Sequence, residues 1–246
     1  MHNADTNLLS LDKEIESKFE EMMKRPDSLK WFPWIGKEYS KSECRVLIVG
    51  ESHYLIDDKE HPEKTEKNKE EAKRPDFTRN VIQTKCIDDK KKTQPTFDNL
   101  ARCLFGDEIM EREKRMEVWK HLAFYNFVQC PMKTNKKRPK PKDMEIGWEV
   151  FAELIKILKP THCIFIGFAA ADNYNPYKCK RSKEKVGKYA ARLFSAKIDE
   201  QNTCQCIAIK HTSQYFSWKS WSDFLQKRYP EMMQYLKYLL PKTREN

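Results

Sequence analysis

The chain has 246 residues, 39% hydrophobic and 12% aromatic, which is enough apolar surface for one sizeable core and too much for a disordered polymer. Its formal charge of +10 at pH 7 favours polyanionic partners: nucleic acid, nucleotides or anionic lipid. No run approaches the roughly 20 apolar residues that span a bilayer. Residues 1–20 also lack the basic flank, apolar centre and small-residue cleavage site of a secretory leader, so a cytoplasmic protein with no membrane partner is expected.

In chain order, the first apolar run is 45–49, rich in Val, Leu and Ile and ending at Gly50. Residues 57–76 are nearly all charged with no apolar period, and read as a solvated helix or loop within an insertion at about 55–93. A helix follows Pro95, with Phe97, Leu100, Ala101 and Leu104 on one face. The second apolar run is 122–128. A basic loop, 133–142, then leads into a helix over 142–158, where Ile146, Val150, Leu154, Ile157 and Leu158 share a face and Pro160 stops the pattern. Runs at 162–166 and 205–209 complete the set of strands, and a last helix spans 219–240 with a break near Tyr229 and Pro230.

Strands with little polar alternation are those covered on both faces of a parallel sheet. Strands alternating with helices argue for right-handed crossovers. One domain over 1–246 is expected, with the insertion and the C-terminal helix as decorations. The eight cysteines are scattered and imply no disulfide framework. Cys204 and Cys206 point to one face of a strand, but no further ligands are evident beside them, so they read as packing residues and no metal is expected.

In an open parallel sheet, ligands bind beyond the carboxyl ends of the strands. Those ends here read Gly50-Glu51-Ser52-His53-Tyr54, Asn126 to Gln129, Gly167-Phe168-Ala169-Ala170 and Lys210-His211-Thr212-Ser213. A carboxylate, an amide and two histidines would converge, an acid/base and hydrogen-bonding set suited to a heterocycle. Taken singly, His53 or Asn126 is more often a loop cap or a satisfied turn residue.

These segments, with Pro95-Thr96-Phe97-Asp98-Asn99-Leu100 and the stretch through Asn135, Arg138-Pro139 and Glu145, resemble in order and spacing the motifs of the uracil-DNA glycosylase superfamily over about 45–221. The resemblance implies a three-layer α/β/α sandwich around a central four-stranded parallel sheet. It implies Glu51, Ser52 and His211 as the catalytic set, with Tyr54, Asn126 and Phe77 holding the base. Gly50, Thr96, Gly167, Ser213, Lys136 and Arg138 would meet phosphates or the DNA backbone.

The style of the motifs is closest to the iron–sulfur branch, but no cysteine pair precedes the first strand and Cys130 stands alone, so cluster cysteines are read as lacking. Two further departures are Ser52, where the best-known branch has a water-orienting aspartate, and His211-Thr212-Ser213 in place of His-Pro-Ser. The resemblance therefore leaves two functions open. One is a glycosylase that hydrolyses the N-glycosidic bond of uracil or another deaminated base in DNA repair. The other is an inactive relative that binds nucleic acid or a modified nucleotide. In either case the chain is expected to be a monomer without a cofactor, its partner single- or double-stranded DNA or a nucleotide.

Overall fold

The computed structural model describes residues 13–55, 58–88, 95–106, 111–134, 137–173, 181–213 and 215–240. Helix α1 (Lys13–Met23) and the two-residue strand β1 (Trp34–Ile35) lead into β2 (Val46–Gly50), which is buried at every position. The charged segment forms α2 (Pro62–Glu71), which buries no residue. Its Lys–Glu pairs at a spacing of three are solvated and add little stability. Helix α3 (Phe77–Val81) continues as a π-helical turn over Ile82–Ile87. Next come α4 (Pro95–Phe105), α5 (Arg112–Trp119), β3 (Leu122–Asn126) and α6 (Pro141–Leu158). Lys159 ends α6 in the left-handed conformation, φ 47°, immediately before Pro160.

The chain then forms β4 (His162–Ile166), α7 (Ala169–Asn173), the hairpin of β5 (Ser182–Val186) and β6 (Tyr189–Lys197), β7 (Thr203–Ile209), α8 (Trp218–Arg228) and α9 (Pro230–Tyr238). The last two divide at Tyr229–Pro230, where proline cannot continue the hydrogen-bond ladder.

The sheet has seven strands in the order β1-β3-β2-β4-β7-β6-β5. The four apolar runs of the sequence are β2, β3, β4 and β7, and they pair in parallel with one another. The expected four-stranded parallel sheet is nevertheless wrong. Strand β1 adds antiparallel to β3 at one edge, and the β5–β6 hairpin adds antiparallel to β7 at the other, giving a mixed sheet. The physical reason is that these edge strands are short or have a polar face, so neither carries the apolar signature of a strand covered on both sides.

Side chains alternate across the sheet and build a core on each face. On one face Ile48, Phe124, Ile164 and Ile207 pack with residues of α4, α5, α8 and α9, such as Leu104, Trp119, Trp221 and Leu236. On the other, Leu47, Tyr125, Phe165 and Cys206 pack with Phe19 of α1 and with Trp148, Phe151 and Leu154 of α6. Among the described residues, no helix is long and apolar enough to cross a membrane.

Candidate functional site

The loop after β2 is tied along the loop after β3. Phe127 and Val128 donate to the Gly50 and Glu51 carbonyls, both at 2.9 Å, and Met132 donates to the His53 carbonyl at 2.8 Å. This zipper fixes Glu51, whose side chain is only 10% exposed. Its Oε1 accepts from the Tyr54 hydroxyl at 3.0 Å and from Arg138 Nη1 at 3.2 Å.

The loop after β7 is clamped from the other side by α4. Thr212 Oγ1 donates to the Thr96 carbonyl at 2.7 Å, and Asn99 Nδ2 donates to the carbonyls of Thr212 and Ser213 at 2.8 and 3.1 Å. The backbone N–H of Ser213 donates to His211 Nδ1 at 3.3 Å. A neutral imidazole that accepts at Nδ1 carries its proton on Nε2, so His211 is set as a donor. Burial lowers the His211 pKa below the ordinary histidine value, outweighing Glu51, which raises it, and Arg138 and Lys210 add to the lowering. His211 is therefore neutral near pH 7.

Gly167 lies between these two groups with φ +113°, a conformation that side chains rarely adopt. A Cβ placed on it would meet Glu51 Oε2 at 3.7 Å and His211 Cδ2 at 3.8 Å, so the carboxylate and the imidazole flank one bare stretch of backbone.

Around this pair opens a cleft of about 830 Å³ at the carboxyl ends of β2, β4 and β7, within the usual range for a small-ligand site. Four cations, Arg138, Lys188, Arg192 and Lys210, line it against the single carboxylate of Glu51. Three of these cations lie on aromatic rings. Lys188 and Lys210 sit 5.6 and 4.8 Å from the centre of Tyr189, and the Arg192 guanidinium lies 3.9 Å from the centre of Phe168. Arg192 is held in place by Asp172 through bonds of 2.9 and 2.8 Å. A smaller cavity of about 330 Å³, lined by Arg25, Lys30, Gln129 and Asp143 among others, lies elsewhere and brings together no comparable carboxylate and imidazole.

Six of the residues singled out in the sequence line this cleft: Glu51, Tyr54, Arg138, Gly167, His211 and Ser213. Others serve the fold. Phe77 is buried against Trp31 and His53, not presented to a ligand. His53, offered as a second convergent histidine, is 6% exposed, bonds Thr78 Oγ1 through Nε2 at 2.8 Å, and is pushed by burial down to a pKa of about 3. Asn126 is buried with its side-chain oxygen over Gly50, 2.2 Å from where a Cβ would stand, so the glycine makes room for an amide and not for a phosphate.

Thr96 gives its carbonyl to Thr212, and the Ser52 hydroxyl is buried with no hydrogen-bond partner among the described residues. Lys136 lies outside the described residues. The sequence reading missed Lys188, Tyr189 and Arg192, which the β5–β6 hairpin delivers. A usable signal was present in Val186-Gly187-Lys188-Tyr189. Val186 and Tyr189 are register partners across a two-residue turn, and Gly187 has the positive φ, 58°, that such turns favour.

A second constellation lies on the face of the sheet covered by α6. Cys163 of β4 is the register partner of Cys206 on β7, and Cys204 projects to the same face two residues earlier. The three sulfurs lie within 4.8 Å of one another, and all three residues are fully buried. Burial pushes the Cys163 and Cys206 thiols up, whereas hydrogen bonds from both draw Cys204 down against its own burial. The expectation that cluster cysteines are lacking is therefore wrong. The missing ligand comes from a neighbouring strand 41 residues earlier, which local spacing around Cys204 and Cys206 does not reveal.

No protein-family model matches this chain, and no curated protein is significantly similar to it. The seven-stranded mixed sheet and the cysteine cluster overturn the assignment to the uracil-DNA glycosylase superfamily, on which the hydrolase and DNA-repair reading rested.

Proposed function

We propose that the cleft binds a nucleotide, either free or exposed in single-stranded nucleic acid. The observation that carries this reading is the pairing of cations with aromatic rings around the Glu51–Gly167–His211 floor. Every nucleobase has a π-face that can stack on Tyr189 or Phe168, while Lys188, Lys210 and Arg138 supply positive charge for phosphate. The His211 Nε2–H offers a donor to a ring carbonyl or nitrogen, and the anchored Glu51 carboxylate offers an acceptor to an exocyclic amine or ribose hydroxyl.

The test is fluorescence anisotropy with labelled single-stranded DNA and RNA, together with competition by mononucleotides. Saturable binding at low salt is expected, weakened about tenfold or more by Tyr189→Ala, the scale of one lost stacking contact. Failure of every nucleotide probe to bind would contradict the reading. The same incubations show whether any base is released.

A further inference from the structure

The cleft makes no use of the three cysteines beneath the sheet. Their arrangement has two features that packing alone does not require. First, Cys204 Sγ and Cys163 Sγ stand 3.2 Å apart, closer than two sulfurs approach without a shared proton, bond or ion between them. Second, the Tyr39 hydroxyl is buried with no hydrogen-bond partner among the described residues, in a residue only 1% exposed. A polar atom stranded in that way is costly unless something satisfies it. Tyr39 belongs to the same core as the cysteines.

We propose that Cys163, Cys204 and Cys206 bind one zinc-type divalent ion on the face of the sheet covered by α6. Zinc–thiolate bonds of about 2.3 Å in a tetrahedron set sulfurs about 3.8 Å apart; the three sulfurs here all fall within 4.8 Å, and the Cys163–Cys204 pair, at 3.2 Å, opens to admit the ion. Charge supports the choice of ion. Three thiolates on a divalent ion leave a single negative charge in a dry core, whereas a monovalent copper ion would leave two. Each thiol loses its proton to solvent as the ion binds. Because the cysteines are fully buried, the ion enters as the chain folds, pins β4 to β7 and resists chelators in the native state.

The experiment is metal analysis of the full-length protein made in zinc-supplemented medium, followed by refolding with cobalt. One zinc per chain is expected, and cobalt should give intense visible bands of tetrahedral thiolate coordination. Cys204→Ser should lose both signals, while Cys86→Ser, which alters a buried cysteine on the opposite face, should keep them. A metal-free wild-type protein with only the weak spectrum of hydrated cobalt would overturn the proposal, even if the cysteine variants fail to fold. So would a Cys163–Cys204 disulfide seen by intact mass, or bound metal that survives Cys204→Ser.

Discussion

At the scale of single residues, environment separates two histidines that the sequence presents alike at strand ends. His211 keeps its imidazole on the cleft, while His53 is enclosed by Trp31 and Phe77. For His53 the consequence is a pH dependence of stability. The folded state holds the ring neutral down to about pH 3, whereas the unfolded ring takes a proton near 6.5, so acidification favours unfolding. Stability should fall by up to about 1.4 kcal/mol per pH unit between those values. Urea midpoints across that range measure it, and His53→Gln should flatten this component of the slope. Gly167 makes a second case. A side chain at φ +113° is strained, so Gly167→Ala should cost about 1–3 kcal/mol through the backbone, since its Cβ would stand at ordinary contact distance from Glu51 and His211. Unchanged denaturation and unchanged ligand binding would show that the conformation is not required.

At the scale of elements, legibility followed burial. Strands β2, β3, β4 and β7 were readable because both faces are covered and their apolar runs are nearly continuous. Helix α6 was readable because Val150, Leu154 and Leu158 of its expected face are buried, with Ile146 and Ile157 partly buried against the same core. The β5–β6 hairpin was not, because Ser182–Val186 is polar and largely exposed and Tyr189–Lys197 is only partly covered. Half of the cleft's cations, Lys188 and Arg192, were lost with it. The cysteine site was hidden for a different reason: its ligands meet only through the β4–β7 register. If the hairpin carries the ligand-binding side chains, loosening it should weaken binding without unfolding the core. Gly187→Val, which places a branched side chain at φ +58°, should accelerate amide exchange across β5 and β6 and reduce affinity. Protection unchanged in the hairpin would contradict that coupling.

At the scale of the whole molecule, the charge of +10 is not spread evenly over possible ligand sites. Many basic residues stand on exposed segments beside carboxylates, as in and just after α2, where Lys69 and Lys73 are paired with Glu66 and Glu70. In the cleft, Arg138 answers Glu51 and Arg192 answers Asp172, while Lys188 and Lys210 lie over Tyr189. Net charge therefore states a preference for polyanions, and the fold decides where that preference is expressed. The most direct test of the central claim is the salt dependence of single-stranded oligonucleotide binding by wild type and by the Lys188→Gln, Lys210→Gln double variant. Each phosphate neutralised contributes about 0.7 to the slope of log affinity against log salt. The cleft account predicts a slope shallower by about 1.4 in the double variant, with weaker binding at low salt. Identical slopes and affinities in the two proteins would place the nucleic acid elsewhere on the surface and contradict the account.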